Sequence, residues 1–286
     1  MTEIMNLDAY FDRIGYRGPR APTQAVLQAI CAAQPAAIVY ENLDPFLGCV
    51  PRLGLQALQE KLVERRRGGY CFELNLLLRT VLLSLGMRVT CLAARVVWNS
   101  PPGAVLRPRT HMLLKVEVSD AWEHALLVDL GFGGQLFGTP LLLSPGLVQA
   151  TPLGAYRVTS DGKIHTVEAE LAQGWTPLYQ FSLEPQLPVD YEPANWFTAT
   201  HPTSVFRHNV LMQALTPQGR AGLFNDRLVL HRPGAQPEMR RIGDAGEFAQ
   251  VLEQVFHLAP PAPAHEIFAR MPKGLDHFVI PDAANA

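Results

Sequence analysis

The chain has 286 residues, a net charge of -2, and 48% hydrophobic against 17% charged side chains. That length can bury a sizeable core shared by two or three domains, and the composition is globular rather than disordered. The near-neutral balance supplies no long-range field for nucleic acid or an acidic membrane surface, so neither partner is expected.

The opening Met-Thr-Glu-Ile-Met-Asn-Leu-Asp-Ala-Tyr lacks the basic start, apolar run and cleavage site of a secretory leader, which predicts a cytoplasmic protein. Leu74 to Leu85 is interrupted by Arg79 and is shorter than the roughly 20 apolar residues that span a bilayer, so no membrane span is expected. Cys31, Cys49, Cys71 and Cys91 show no CxxC spacing. Neither zinc nor a structural disulfide is expected from them, and at least three read as ordinary buried thiols.

Apolar periodicity predicts helices over Ala25 to Ala32, Leu55 to Val63 and Leu74 to Leu85, giving a helical domain over residues 1–88. From Val89 the pattern turns strand-like, at Leu92 to Trp98, His111 to Val118, Ala125 to Leu130, Tyr156 to Val158, Lys163 to Glu170 and Pro177 to Leu183. These predict an antiparallel β-rich domain over 89–184. The stretch from Pro185 to Pro202 reads as a crossover within a linker over 185–203. Strands at Val210 to Thr216, Ala221 to Phe224 and Arg227 to His231, then a helix at Ala245 to Phe256, predict an α/β domain over 204–286.

Chemistry concentrates in Arg67-Gly68-Gly69-Tyr70-Cys71-Phe72-Glu73-Leu74-Asn75, where two glycines allow a tight turn directly before a strongly helical segment. This places Cys71 at a helix N-terminus, where unpaired N–H groups and the helix dipole favour a thiolate and can stabilise a tetrahedral oxyanion. A lone cysteine there is more often a buried thiol after a turn. A base and an orienter shift the balance. The strands carrying His111 and Asp129 flank a polar turn, and a hairpin centred on Asp120 sets the two directly opposite on one face. A carboxylate so placed holds an imidazole tautomer, completing a Cys71–His111–Asp129 triad. Taken singly, His111 reads as a satisfied sheet histidine and Asp129 as a strand-end carboxylate capping the following turn. His124, the competing histidine, is a turn residue beside Glu123, and Asp120 is another. Gly131-Phe132-Gly133-Gly134 matches no nucleotide fingerprint, yet its N–H groups beside a triad carboxylate suit the pyrophosphate of an acyl carrier. In the charged run Glu64-Arg65-Arg66-Arg67, Arg67 is the residue expected to be buried as a brace for the Cys71 turn.

These pieces together resemble the arylamine N-acetyltransferase family over nearly the whole chain. Arg67 to Asn75 meets that family's Arg-Gly-Gly-x-Cys-x-Glu-x-Asn motif, Thr110-His111 its Thr-His strand, and Val128 to Gly134 its Val-Asp-x-Gly-Phe-Gly-Gly. Tyr40-Glu41-Asn42-Leu43 is similar to its Phe-Glu-Asn-Leu element with Tyr for Phe, and Pro202 to Phe206 is similar to its Ser-x-Phe segment. The resemblance implies an α+β fold with a helical bundle, a β-barrel-like domain and an α/β lid around a cysteine-protease-like core. It implies acetyl coenzyme A as acyl donor, an arylamine or arylhydrazine as acceptor, ping-pong transfer through acetyl-Cys71, and no metal or tightly bound cofactor. Tyr70, Thr110, Gly131, Gly133 and Phe206 match positions near the family's cleft and are the expected carrier contacts. The insertion that lengthens eukaryotic members is missing, which points to a bacterial-type enzyme with a more open cleft. The competing readings are a related acyltransferase such as an amide synthase, and a transglutaminase-like hydrolase or cysteine peptidase, since such a triad attacks amides as readily as thioesters. A non-catalytic binding module on this fold predicts a damaged triad, whereas all three residues are present.

Overall fold

The computed structural model describes residues 4–100, 103, 105–120, 124–232 and 234–278. The first three residues of the opening segment and the last eight of the expected α/β domain lie outside them. The N-terminal part contains α1 (Leu7–Ile14), α2 (Gln24–Ala37), the short strand β1 (Tyr40–Glu41), α3 (Leu43–Phe46), α4 (Leu55–Leu58) running into a π-helical turn, Gln59–Glu64, and α5 (Cys71–Ser84). Helix α1, absent from the sequence reading, starts at an Asn6 side chain that accepts from the Ala9 N–H and stops at Gly15, whose φ of 69° ends the helix in a left-handed cap. Helix α5 is buried on nearly all sides, as its almost unbroken apolar sequence demands, and forms the axis of the helical core.

An eight-stranded antiparallel sheet follows, of β2 (Arg88–Val96), β3 (His111–Glu117), β4 (Leu126–Val128), β5 (Leu141–Leu142), β6 (Val148–Thr151), β7 (Gly154–Ser160), β8 (His165–Leu171) and β9 (Gly174–Phe181). Its order is β5-β4-β3-β2-β9-β8-β7-β6. The sheet curls until its two edges meet, and a side chain closes it. Gln149 on β6 donates to the Leu142 carbonyl at 2.9 Å and accepts from the Leu142 N–H at 2.7 Å, standing in for a ladder pair between β6 and β5. Alternation along β3 and β4 divides the cores. Met112, Leu114, Val116, Leu126 and Val128 face the helices, while Leu113 and Leu127 face the barrel interior. His111 and Asp129 continue the barrel-facing columns.

The segment expected as a crossover contains helix α6 (Tyr191–Thr200), preceded by a 3₁₀ turn at Pro188–Asp190 and followed by α7 (Val205–His208). Pro193, which argues against a helix, falls in the first turn of α6, where its missing N–H has no helical partner to lose. The last part has β10 (Leu211–Thr216), β11 (Gly219–Phe224), β12 (Arg227–His231), β13 (Glu238–Arg241), α8 (Ala245–Gln254) and α9 (Ala264–Arg270). Its sheet order is β1-β10-β11-β12-β13, so the two-residue β1 leaves the helical part and pairs Tyr40 with Gln213. Val39, Leu43 and Phe46 follow it into the third core. No helix among the described residues is long and apolar enough to cross a membrane.

The cysteine expectation needs one correction. Cys31, Cys71 and Cys91 are buried, but Cys49 is exposed in the loop after α3, held there by its N–H donating to the Asp44 carbonyl at 2.8 Å.

Candidate active site

Cys71 is the first residue of α5, and its position is fixed from behind. The Tyr70 N–H donates to Glu73 Oε2 at 3.1 Å, so the carboxylate two residues beyond the cysteine caps the helix start. Glu73 Oε1 receives Lys61 Nζ at 2.7 Å, Lys61 reaches Asp44 at 2.7 Å, and Arg67 joins Asp44 at 2.8 Å to Glu41 at 2.7 Å. Arg67 thus braces the turn as expected, with a guanidinium side chain only 12% exposed. Removing one member of such a buried network leaves the others as unpaired charges, which is why these groups act as a unit.

Asn75 lies one helical turn after Cys71 and so on the same face. Its Nδ2 donates to the Met112 carbonyl at 2.8 Å and to Asp129 Oδ1 at 3.1 Å, while its Oδ1 accepts from the Leu130 N–H at 3.0 Å. One amide therefore clamps α5 to the ends of β3 and β4. The sequence reading gave Asn75 no role. Its spacing of four from the cysteine is the signal that carried one.

His111 and Asp129 are both buried, with Nε2 of the imidazole 2.6 Å from Asp129 Oδ2. The register between their strands is not the expected one. Leu114 pairs with Val128, Lys115 with Leu127 and Val116 with Leu126, so the residue opposite Asp129 is Leu113, and His111 is its diagonal neighbour. The slip is two residues, which preserves the face, and a diagonal pair remains within reach of an imidazole. Ala121 to Glu123 at the tip of the hairpin lie outside the described residues; His124 is exposed, and Asp120 accepts from the Gln24 N–H at 2.9 Å at the start of α2. The other Asp129 oxygen receives the Gly131 N–H at 2.9 Å. The turn-capping and imidazole-holding roles, weighed as alternatives, coexist on one carboxylate.

Burial works against the His111 charge, but Asp129 and then the Cys71 thiol outweigh it and push the imidazole up to about 10. Burial likewise opposes ionisation of Asp129, and the His111 charge with the hydrogen bonds from His111, Gly131 and Asn75 holds the carboxyl below its ordinary range. With Nε2 committed to Asp129, Nδ1 is left for Cys71. The cysteine Sγ lies 3.8 Å from the Thr110 carbonyl, so the residue before the histidine also touches the thiol.

The glycine run is shaped by three neighbours. A Cβ on Gly131 would lie 2.5 Å from Cys71 Cα, one on Gly133 2.6 Å from the Tyr40 ring, and one on Gly134, at φ 109°, 2.5 Å from the Trp98 ring. Its N–H groups are not all open to a pyrophosphate as expected, because Gly131 donates to Asp129 and Gly134 to the Gln213 side chain. Gly131→Ala is expected to lower stability by about 1–3 kcal/mol, the usual cost of overpacking, because the clash is with backbone that cannot turn aside. Thermal unfolding should show a fall of several degrees together with slower alkylation of Cys71; unchanged values for both would mean that the loop and α5 are not in contact in solution.

Tyr70 is fully buried, its hydroxyl bonded to Asn195 and its ring edge-on to Phe206 at 6.0 Å. Phe206 is half-buried beside it, and Thr110 is half-buried against Cys71. Tyr179 was missed altogether. Its ring packs 4.9 Å from the His111 imidazole and 5.0 Å from Phe132, and its buried hydroxyl is directed toward Asp129 without reaching hydrogen-bond geometry. It arrives from β9, on the other side of β2 from β3, where no local pattern marks it. Among the described residues no group of three or more His, Cys, Asp or Glu is placed to hold a metal.

An N-acetyltransferase family model matches residues 23–262. The chain is 42% identical over 252 residues to an arylamine N-acetyltransferase of Mycolicibacterium smegmatis, covering 88% of this chain and 90% of that one. It is 38% identical over 259 residues to the Escherichia coli arylamine N-acetyltransferase, covering 90% of both. Among solved structures, that of the Mycobacterium marinum arylamine N-acetyltransferase in complex with CoA superposes with a TM-score of 0.88 at 39% identity, covering 93% of this chain and 98% of that one.

Proposed function

The chain belongs to the arylamine N-acetyltransferase family, and from that membership we propose that Cys71, His111 and Asp129 move an acetyl group from acetyl coenzyme A to an arylamine or arylhydrazine through a thioester on Cys71. The observation that carries the residue assignment is the buried 2.6 Å His111–Asp129 pair with the imidazole's second nitrogen left for a thiol at a helix N-terminus.

The chemistry follows from these positions. The Cys71 sulfur, having given its proton to His111, attacks the thioester carbonyl carbon. The resulting oxyanion is stabilised by N–H groups at the start of α5, which already point where negative charge develops. Collapse breaks the bond to the carrier sulfur, and the His111 imidazolium returns a proton to that leaving thiolate. The carrier departs and the amine enters. Its nitrogen attacks the acetyl-Cys71 carbonyl while neutral His111 takes the amine proton, and collapse expels the Cys71 thiolate beside a regenerated imidazolium. Asp129 keeps the ring oriented and its charge supported through both halves. Tyr70, Thr110, Gly131, Gly133 and Phe206 remain the proposed carrier contacts. Of these, Thr110 and Gly131 touch the nucleophile directly, and Tyr70 contributes a buried support for Phe206.

Protein incubated with acetyl coenzyme A and no amine is expected to gain one acetyl group on the Cys71 peptide and to lose it on addition of an arylamine, both read by intact mass and peptide mapping. An acetyl group on Cys31, Cys49 or Cys91 instead, or amine turnover with no acetyl-enzyme under single-turnover sampling, would overturn the assignment.

A further inference from the structure

Tyr40 stands where the Phe-Glu-Asn-Leu element has phenylalanine, and its hydroxyl is a group that the transfer chemistry leaves unused. The chain has seven tyrosines, and most of their hydroxyls donate within the protein, as that of Tyr70 does to Asn195 and that of Tyr191 to the Leu92 carbonyl. The Tyr179 hydroxyl is unpaired but sealed from solvent. Tyr40 is the remaining case. Among the described residues its hydroxyl has no hydrogen-bond partner and is not sealed in, on a side chain that is half-buried. A phenol so placed is a polar handle on an otherwise apolar ring.

Backbone bonds fix where this handle lies. The Glu41 N–H donates to the Gly69 carbonyl at 2.9 Å and the Gly69 N–H to the Val39 carbonyl at 3.2 Å, so Tyr40 runs beside the turn that leads into Cys71. The glycine run also lies against its ring. A Cβ on Gly133 would be 2.6 Å from Tyr40 Cε1 and 2.8 Å from Cζ, the carbon that bears the hydroxyl, and Gly131 in the same run presses on Cys71 Cα. Burial, then the charges of Cys71, Asp129 and Glu41, hold the phenol's ionisation well above its ordinary range. The hydroxyl is therefore a neutral donor within electrostatic reach of the nucleophile and the triad carboxylate.

We propose that Tyr40 is a specificity-determining residue for the acceptor, favouring arylamines and arylhydrazines whose ring carries a neutral hydrogen-bond-accepting oxygen over those with an apolar group of the same size. The transfer step itself does not need the hydroxyl, since the family's motif has phenylalanine in its place and the oxyanion is met by N–H groups of α5. What varies in this cleft is the ring that arrives with the amine. An acceptor that fills the cleft displaces water from the phenol; a ring-borne oxygen replaces the lost bond, whereas a methylene leaves it unmade. The oxygen is neutral because the charges acting on the hydroxyl are those of acidic groups, which repel an anionic substituent. The inference rests on the proposed passage of the acetyl group through Cys71.

The test compares methoxyanilines with the matching ethylanilines, substituted ortho, meta and para, as acceptors for wild type and Tyr40→Phe. Each pair differs by one oxygen in place of a methylene, and the oxygen's electronic effect on the amine is common to both proteins and cancels between them. At one ring position the methoxy-to-ethyl ratio of kcat/KM is expected to be roughly 3- to 10-fold higher in wild type than in Tyr40→Phe, the worth of one neutral hydrogen bond. The variant keeps the ring against Gly133 and loses no hydrogen bond, so wild-type melting is expected. Equal ratios in the two proteins at every ring position would overturn the proposal. So would a lowered melting temperature, which makes the hydroxyl a structural group, or a parallel slowing of Cys71 alkylation and of all acceptors alike, which makes it a partner of the thiolate. Failure of the underlying reading looks different: wild-type protein then forms no acetyl-Cys71 from acetyl coenzyme A, whatever the acceptor.

Discussion

Cys71→Ala protein is expected to fold and to lose arylamine acetylation by about a million-fold, the scale seen when the nucleophile of a comparable triad is removed. The substitution deletes one sulfur from a nearly enclosed position, where it meets the Thr110 carbonyl at 3.8 Å and the His111 imidazole, so the structural cost is small. No other thiol can take over. Burial pushes Cys31 far up, and Cys91 is raised by burial against the opposing charge of Arg79. Among the described residues neither is paired with an imidazole. Cys49 is exposed and will be modified by alkylating reagents, so the comparison belongs in a Cys49→Ser background, which should itself transfer acetyl normally. Cys71→Ala that keeps wild-type melting and turns over arylamine at more than a thousandth of the wild-type rate would remove the cysteine from the chemistry.

The parts of this site that could be read from sequence are those whose geometry is local. A Gly-Gly turn before an apolar run fixes a helix start within a residue, and it placed Cys71 correctly at the head of α5. Strand alternation fixes a face, and it put His111 and Asp129 on the same one even though the register was wrong by two. The register itself depends on turn geometry, and assuming a symmetric turn at Asp120 was the error. Helix α6 was hidden because Pro193 counts against a helix in its interior but not in its first turn. What stayed invisible is contact between distant segments. The two-residue β1 becomes a strand only because β10 lies beside it, and Tyr179 reaches His111 only because β2 pairs with both β3 and β9. Neither has a period to detect. The acid–base network behind Cys71 was legible at one end, through Arg67 in a charged run, but its partners Glu41, Asp44 and Lys61 come from three separate elements, β1, α3 and the π-helical turn.

Asp129→Asn tests the other half of the mechanism and separates orientation from charge. The amide keeps the shape of the carboxylate, and one of its atoms can still receive the Gly131 and Asn75 hydrogen bonds that now reach Oδ1 at 2.9 Å and 3.1 Å. The remaining atom, facing His111 Nε2, is then an NH₂ where an acceptor is needed. The imidazole must present a lone pair to it and carry its proton on the Cys71 side, which is the wrong tautomer for a base; comparable substitutions cost about ten-thousand-fold in kcat. Acetylation by acetyl coenzyme A and alkylation of Cys71 near neutral pH should both slow, since each draws on the same imidazole. Stability should fall as well, on the order of 3–5 kcal/mol if the buried imidazolium persists without its partner. The pH dependence has a defined sign. His111 is raised to about 10, so its contribution is complete below about 6.5 and is lost as pH rises through 10; Asp129 is lowered, so its contribution is present above about 3.9 and is lost as pH falls through its depressed value. The gap in melting temperature between wild type and Asp129→Asn is therefore expected to be widest between about pH 4 and 6.5 and to narrow toward pH 10. Circular dichroism across that range establishes the fold before rates are compared. A folded variant with near-normal acetylation and alkylation, and a melting gap that does not change with pH, would leave Asp129 with only the Gly131 turn to hold.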